Sequence, residues 1–178
     1  MTGESASEEQ ATEEQATEEQ ATEEQATEEQ ATGAGPAEAG WRLQERVYDE
    51  SPLHRLLGMS LRVVGPGQTA VSLHARQELG NRNGSVAGGV LTTLIDSAVG
   101  QAARSATAAN VRTWTQEMKV NFVRRGRVGA RLTAHASLEH SGRTSAVGVG
   151  RVLDDEGNLL AVGIVTVVLR PETGGGAA

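Results

Sequence analysis

The chain has no cysteine. That excludes disulfide scaffolds, thiolate-ligated zinc and a cysteine nucleophile together. Aromatic residues are nearly absent: Trp41, Tyr48, Trp114 and Phe122 are the full set. Scarce stacking groups, with arginines that are scattered rather than clustered, argue against nucleic-acid binding. The histidines, His54, His74, His135 and His140, lie far apart without helical metal-site spacing, so no metal is expected and they read as surface or structural residues. No apolar run approaches the ~20 residues of a membrane span. The first 38 residues hold no Lys or Arg. An acidic opening of this kind reads neither as a secretory signal nor as a transit peptide, and a cytoplasmic protein is the default expectation.

What is present divides in two. Residues 1–38 carry 12 of the 23 acidic residues, leaving 16 basic against 11 acidic residues in 39–178. The overall net charge of −7 hides a mildly basic body suited to an anionic ligand. Residues 6–30 repeat a five-residue unit, Ala-Ser-Glu-Glu-Gln and then Ala-Thr-Glu-Glu-Gln. Nothing apolar in it exceeds Ala, so burial cannot offset the entropy of ordering. Ala, Glu and Gln favour helix, but Glu9 and Glu13 begin a series of like-charged i, i+4 neighbours that opposes it. The expectation is a disordered, solubilising tail, with Gly33-Ala-Gly-Pro36 as linker, a single domain over 39–170 and a flexible end over 171–178.

Within the body, Trp41, Leu43, Val47, Tyr48, Leu53, Leu56 and Leu57 among polar residues predict one or two short helices over 37–57, broken at Ser51-Pro52. Leu61–Val64 and Thr69–Ala75 read as strands about a Pro66-Gly67 turn, and the polar, Asn/Gly-rich 76–87 as a loop. Gly65-Pro-Gly67 is not a nucleotide fingerprint, since no helix follows it. Residues 88–105 predict one long helix: Val90, Leu91, Leu94, Ile95, Ala98, Val99, Ala102 and Ala103 form an apolar stripe at helical period. Its other face, Thr92, Thr93, Asp96, Ser97 and Gly100, is small and weakly polar, which suits close approach by another body. Four strands follow over 112–122, 130–139, 143–153 and 159–169. In the first, Trp114, Met118, Val120 and Phe122 form the inward set and Thr113, Thr115, Glu117, Lys119 and Asn121 the outward one. The last is apolar on both faces. Short connections, including Arg124-Arg-Gly-Arg127, predict antiparallel neighbours. One amphipathic helix and one antiparallel sheet must bury each other, which gives an α+β two-layer domain with the helix in the concave face of a curved sheet.

The informative stretch runs from Asn81 through Gly84, Gly88 and Gly89 to Asp96. Two glycines open a helix and a carboxylate follows two turns later. A helix N-terminus offers unpaired N–H groups and partial positive charge, and glycine lets a ligand approach that backbone. The result suits a developing oxyanion. Asp96, alone on an otherwise uncharged face, suits attack on a carbonyl or activation of water. The same residues also fit a tight turn followed by a solvated helix carboxylate.

This segment resembles the signature of hotdog-fold acyl-CoA thioesterases of the phenylacetate-pathway (PaaI-like) type: Asn-x-x-Gly-x-x-His-Gly-Gly, with Asp seven residues further along the central helix. Asn81, Gly84, Gly88, Gly89 and Asp96 stand at the matching spacings. Ser51–Gly58, Met118–Phe122, Ser141–Thr144 and Asp155–Ala161 resemble the family's flanking segments, so the likeness spans about 51–169. It implies a hotdog fold, a curved antiparallel sheet around one long helix. It also implies hydrolysis of a small, medium-chain or aryl acyl-CoA without a separate cofactor, CoA being part of the substrate. Asp96 would be nucleophile or general base. The Gly88 N–H, with Gly89 beside it, would polarise the carbonyl, Asn81 would position water or carbonyl, and Thr115 would place a hydroxyl near the water. The family's sites lie between two protomers, so Asn81 and Asp96 would come from different chains of a homodimer, and such dimers commonly pair into homotetramers. For the CoA phosphates the candidates are Arg143 in a hairpin turn, Arg124, Arg125 and Arg127 in the preceding turn, and Arg82.

One departure stands out. Ala87 occupies the position where the family usually has His. Its hydrogen bonds are missing here, while the proposed acid and the oxyanion donors remain. A non-catalytic acyl-CoA-binding module is therefore the alternative reading. A hotdog dehydratase fits less well, because that chemistry pairs a His with the helix acid and no His lies in 75–134.

Overall fold

The computed structural model describes residues 36–48 and 50–172. The predicted repeat tail and C-terminal end lie outside these residues, apart from 36–38 and 171–172. The unit that carries the sheet begins at Gly40.

Two helices come first, α1 (Pro36–Tyr48) and α2 (Pro52–Leu57), with the break at the predicted Ser51-Pro52. Pro52 occupies the first turn of α2, where its missing N–H costs nothing, and Gly58 closes that helix in the left-handed conformation at φ 67°. Strands β1 (Ser60–Gly65) and β2 (Gln68–His74) precede the long helix α3 (Gly88–Ser105), whose bounds coincide with the predicted ones. Strands β3 (Val111–Phe122), β4 (Arg131–Ser141), β5 (Ser145–Leu153) and β6 (Leu159–Pro171) follow. All pairings are antiparallel.

The sheet order is β1-β2-β4-β5-β6-β3. This corrects the reading of Arg124–Arg127 as a turn between neighbouring strands. β3 pairs with β6 at the edge, and the connection over 123–130 crosses the end of the sheet to reach β4. The N–H groups of Val123 and Arg124 both donate to Leu160 O along the way. The strand alternation needs a second correction. A bulge between Thr115 and Glu117 shifts the β3 register against β6. Before it the odd residues Thr113 and Thr115 are half-buried while Trp114 is exposed; after it the even residues Met118 and Val120 are half-buried, and Phe122 is exposed at the strand's end. An extra residue in one strand flips the faces on either side of it.

α3 lies across the sheet with Leu91, Leu94, Ile95, Ala98, Val99, Ala102 and Ala103 buried beneath it. Each large apolar side chain buried here contributes on the order of 1.5–3 kcal/mol. The sheet admits the helix closely because it is bare at the contact. A Cβ on Gly148 would meet Val99 Cγ1 at 2.7 Å, and one on Gly150 would meet Ile95 Cγ2 at 2.9 Å. Thr69, itself buried, donates to Ala98 O at 2.7 Å and ties α3 to β2.

Candidate active site

Two strips of α3 face away from the sheet. One is held by α1. Trp41 Nε1 donates to Ser105 O at 3.4 Å, Gln44 Nε2 to Gln101 O at 2.9 Å, and the Tyr48 hydroxyl lies 2.7 Å from Ser97 Oγ. The residue numbers rise on α1 as they fall on α3, so the helices run antiparallel with a rung about every turn. His54 completes this corner. Its ring stacks on Tyr48 at 3.8 Å, Nδ1 lies 3.0 Å from Tyr48 O, and Nε2 lies 3.4 Å from Ser97 Oγ. A carbonyl only accepts, so Nδ1 carries the proton, and in the neutral ring Nε2 accepts from Ser97.

The second strip is Gly89, Thr93, Asp96 and Gly100, one face at helical spacing. A Cβ added at Gly89 or Gly100 would meet nothing within 4 Å, so this strip opens onto free space. Asp96 sits in its middle, half-buried. Thr115 Oγ1 donates to Asp96 Oδ1 at 2.5 Å. The β3 bulge next to Thr115 turns that hydroxyl inward, a common use of bulges beside functional groups. Among the described residues no cation pairs with Asp96, and its Oδ2 receives no hydrogen bond.

The N-terminus of α3 lies two turns away. Ala87 at the N-cap is extended (φ −64°, ψ 137°) and supplies no side-chain cap. Val90 N donates to Ala87 O at 3.0 Å, while the Gly88 and Gly89 N–H groups have no acceptor among the described residues. A Cβ on Gly88 would meet the Phe122 ring at 3.2 Å. The loop before the helix is strapped to the β3–β4 connection by Val86 N to Gly126 O at 3.0 Å. Asn81 braces the same loop. Its Oδ1 accepts from Asn83 N at 2.9 Å, its Nδ2 donates to Ser85 Oγ at 3.1 Å, and Gly84 takes φ 73° to close the turn. Among the described residues no hydrogen bond joins Asn81 to Asp96.

Of the predicted site residues the fold therefore brings Asp96 and Thr115 together, and sets Gly88 and Gly89 on the same helix at about 12 Å along its axis. The arginines separate. Arg124 donates to Asn158 Oδ1, and Arg127 pairs with Asp155 at 3.2 Å, so both are tied to the β5–β6 turn. Arg82, Arg125 and Arg143 have no ion-pair partner among the described residues. Arg143, in the β4–β5 turn, stands at the opposite end of β4, about 35 Å of strand away from the others. A cleft lined by Gly67, Ala106, Leu138 and His140 lies past the far end of α3 and holds none of these residues. Among the described residues no cluster of three His, Asp or Glu suits a metal, and no helix is long and apolar enough to cross a membrane.

A model of the thioesterase superfamily matches residues 83–161, from the loop before α3 to the start of β6. A solved protein of the thioesterase superfamily is 31% identical, with 74% of this chain and 99% of that one covered at a TM-score of 0.67. The phenylacetic acid degradation protein PaaI from Thermus thermophilus, solved as a mutant, is 25% identical over 66% of this chain and 98% of its own, at a TM-score of 0.61. The Escherichia coli PaaI protein shares the fold at a TM-score of 0.69 with 21% identity, covering 75% of this chain and 95% of its own. None of the curated proteins matches the chain. The fold is the hotdog fold, and by class the protein is a thioester hydrolase. More narrowly, the chain belongs to the thioesterase superfamily, with PaaI-like structures among its neighbours.

Proposed function

We propose that the protein hydrolyses the thioester of a small, medium-chain or aryl acyl-CoA to the free acid and CoA, with Asp96 as the reacting carboxylate. One observation carries this reading: a carboxylate with one oxygen held by Thr115 and the other open, on a helix strip with no other charge. As general base, Asp96 takes a proton from water while the water oxygen adds to the thioester carbon. The carbonyl oxygen becomes an oxyanion, the C–S bond then breaks, and the departing CoA sulfur takes the proton back. As nucleophile, the open oxygen adds to the same carbon and expels the thiolate, and water hydrolyses the resulting anhydride. No cofactor enters either route.

The oxyanion needs donors about 3 Å away. A carboxylate and an N–H acting on one carbonyl group stand within roughly 7 Å of each other, less than the ~12 Å that separates Gly88 from Asp96 along one helix. This separation supports a pair drawn from two chains: Gly88, with Asn81 behind it, from one, and Asp96 with Thr115 from the other. Edge strand β3 offers a free ladder for such pairing. This supports a homodimer with two composite sites. For the CoA phosphates, Arg82, in the loop before α3, and Arg125, next to the Gly126 that this loop bonds, have no acidic partner among the described residues. Arg124 and Arg127 share theirs with the β5–β6 turn, and Arg143 would serve from its separate position. The soluble, cytoplasmic setting of acyl-CoA is the setting we assign.

The bare Ala87 cap favours one alternative, a module that binds acyl-CoA without turning it over. Thiol release from a panel of short, medium, long and aryl acyl-CoAs, with wild type and Asp96→Asn, separates the two. The hydrolase reading expects turnover that falls at least about a hundredfold in Asp96→Asn, with CoA binding retained. Binding without turnover on every panel member would contradict it.

A further inference from the structure

The Phe122 ring is 55% exposed, yet its tip rests on Gly88, where an added Cβ would meet Phe122 Cζ at 3.2 Å and Cε1 at 3.4 Å. Strand β3 thus meets α3 at two points, through Phe122 at Gly88 and through Thr115 at Asp96. Between them the inward residues of β3, past its bulge, are Met118 and Val120, both half-buried against the core. Val120 lies beside Ile95 over bare Gly163, where an added Cβ would meet Val120 Cγ2 and Ile95 Cγ2, each at 3.1 Å. On the helix side, the Thr92 hydroxyl donates to Gly88 O at 3.1 Å. Phe122, Val120, Met118 and Thr92 therefore line an uncharged lane that starts at Gly88 and runs between α3 and the edge strand. Lys119 belongs to the opposite face of β3, in register with the exposed Ile164.

We infer that this lane seats the acyl group of the substrate, with Phe122 as its first contact, and that the acyl group is an uncharged, apolar chain. The inference rests on the proposed role of Gly88 as donor to the thioester carbonyl. A carbonyl oxygen about 3 Å from the Gly88 N–H brings both substituents of its carbon close to the Phe122 ring. The two differ in chemistry. The CoA arm ends in phosphates and needs cations and water. Arg82 and Arg125, without acidic partners among the described residues, stand on the loop before α3 and on the connection strapped to it. The acyl substituent needs apolar surface, and the lane offers that alone. Covering an exposed ring with a chain removes apolar area from water on both partners, so an acyl group of several carbons is held better than acetyl. Phe122 to Met118 spans about 13 Å of strand, room for such a chain. Met118, unbranched and polarizable, adapts to its shape. An acyl group ending in a carboxylate would give up hydration in the lane and meet no cation there.

Calorimetric titration of the full chain tests this without need of turnover. The probes are CoA, S-hexyl-CoA, S-decyl-CoA and an S-alkyl-CoA of hexyl length ending in a carboxylate, all inert to hydrolysis. The expected result is S-hexyl-CoA binding at least about tenfold tighter than CoA, and the carboxylate-ended probe no tighter than CoA. In Phe122→Ala, S-hexyl-CoA should fall to within about threefold of CoA, with CoA itself little changed. In Met118→Trp the indole blocks the lane beyond its first carbons, so S-decyl-CoA should bind more weakly than S-hexyl-CoA, the reverse of wild type. Far-ultraviolet circular dichroism checks the fold of both variants. Equal affinity of wild type for CoA and S-hexyl-CoA overturns the proposal. So does a preference for S-hexyl-CoA that survives in folded Phe122→Ala. A Phe122→Ala loss shared equally by CoA and S-hexyl-CoA also overturns it, placing the ring on the CoA arm. The expected affinities without thiol release from hexanoyl-CoA would uphold the lane and contradict the hydrolase reading alone. No binding of any probe overturns both.

Discussion

At the scale of single residues, the proposed site rests on one hydrogen bond and one uncapped helix end. Thr115→Val removes the donor to Asp96 Oδ1 and keeps the shape of the side chain. A charge-assisted bond of about 1.5 kcal/mol corresponds to roughly a tenfold loss in kcat/KM. Thr115→Ser should retain most activity, and equal activity in Thr115→Val and wild type would leave the hydroxyl without a part in the reaction. At the other end of the site, Gly88→Pro deletes the proposed oxyanion donor at a helix position that favours proline. Ala87 already has the extended backbone that a following proline requires. The added Cβ would meet the exposed Phe122 side chain at 3.2 Å. The variant should fold normally and lose about a hundred- to a thousandfold in kcat. Of these residues, Asp96 and the glycine pair were legible in the sequence as candidates for chemistry. Thr115 came only from the family resemblance, because simple alternation put it on the outward side of β3. The bulge that turns it inward falls at Gln116, with no glycine or proline to mark it.

At the scale of elements, α3 is positioned by what its neighbours lack and by what α1 supplies. Gly148→Ala places a methyl against Val99 and the Ser137 carbonyl. It should destabilise the protein by about 1–3 kcal/mol, an overpacking penalty read from the urea midpoint. An unchanged midpoint would mean that the helix can lift without cost. Ser97→Ala removes the hydroxyl between Tyr48 and His54 and should cost about 1 kcal/mol in the same measurement. Helix α3 itself was legible to the residue because its apolar stripe repeats at 3.6 residues and its glycines mark the start. The α1 docking was not legible, since its rungs are polar and a hydrophobic pattern does not register them. The edge position of β3 was hidden for another reason: connection length speaks only for local neighbours, and the β3–β6 register pairs Phe122 with Ala161 and Val111 with Pro171, far apart in the chain.

At the scale of the whole molecule, the proposed reaction draws its groups from two chains. The proposed acid and the proposed oxyanion donors lie on the same helix, about 12 Å apart along its axis, and the strip between them is open. The proposed symmetric dimer would give each site one end from each helix. The measurement that bears most directly on this claim uses two inactive variants, Asp96→Asn and Gly88→Pro, unfolded together and refolded as a mixture. Random pairing makes half of the dimers mixed, and each mixed dimer holds one site free of both substitutions. Activity should therefore return to about one quarter of that of refolded wild type, although each variant refolded alone stays inactive. A mixture that remains as inactive as its parts, with mixed dimers demonstrably present, would contradict the two-chain site.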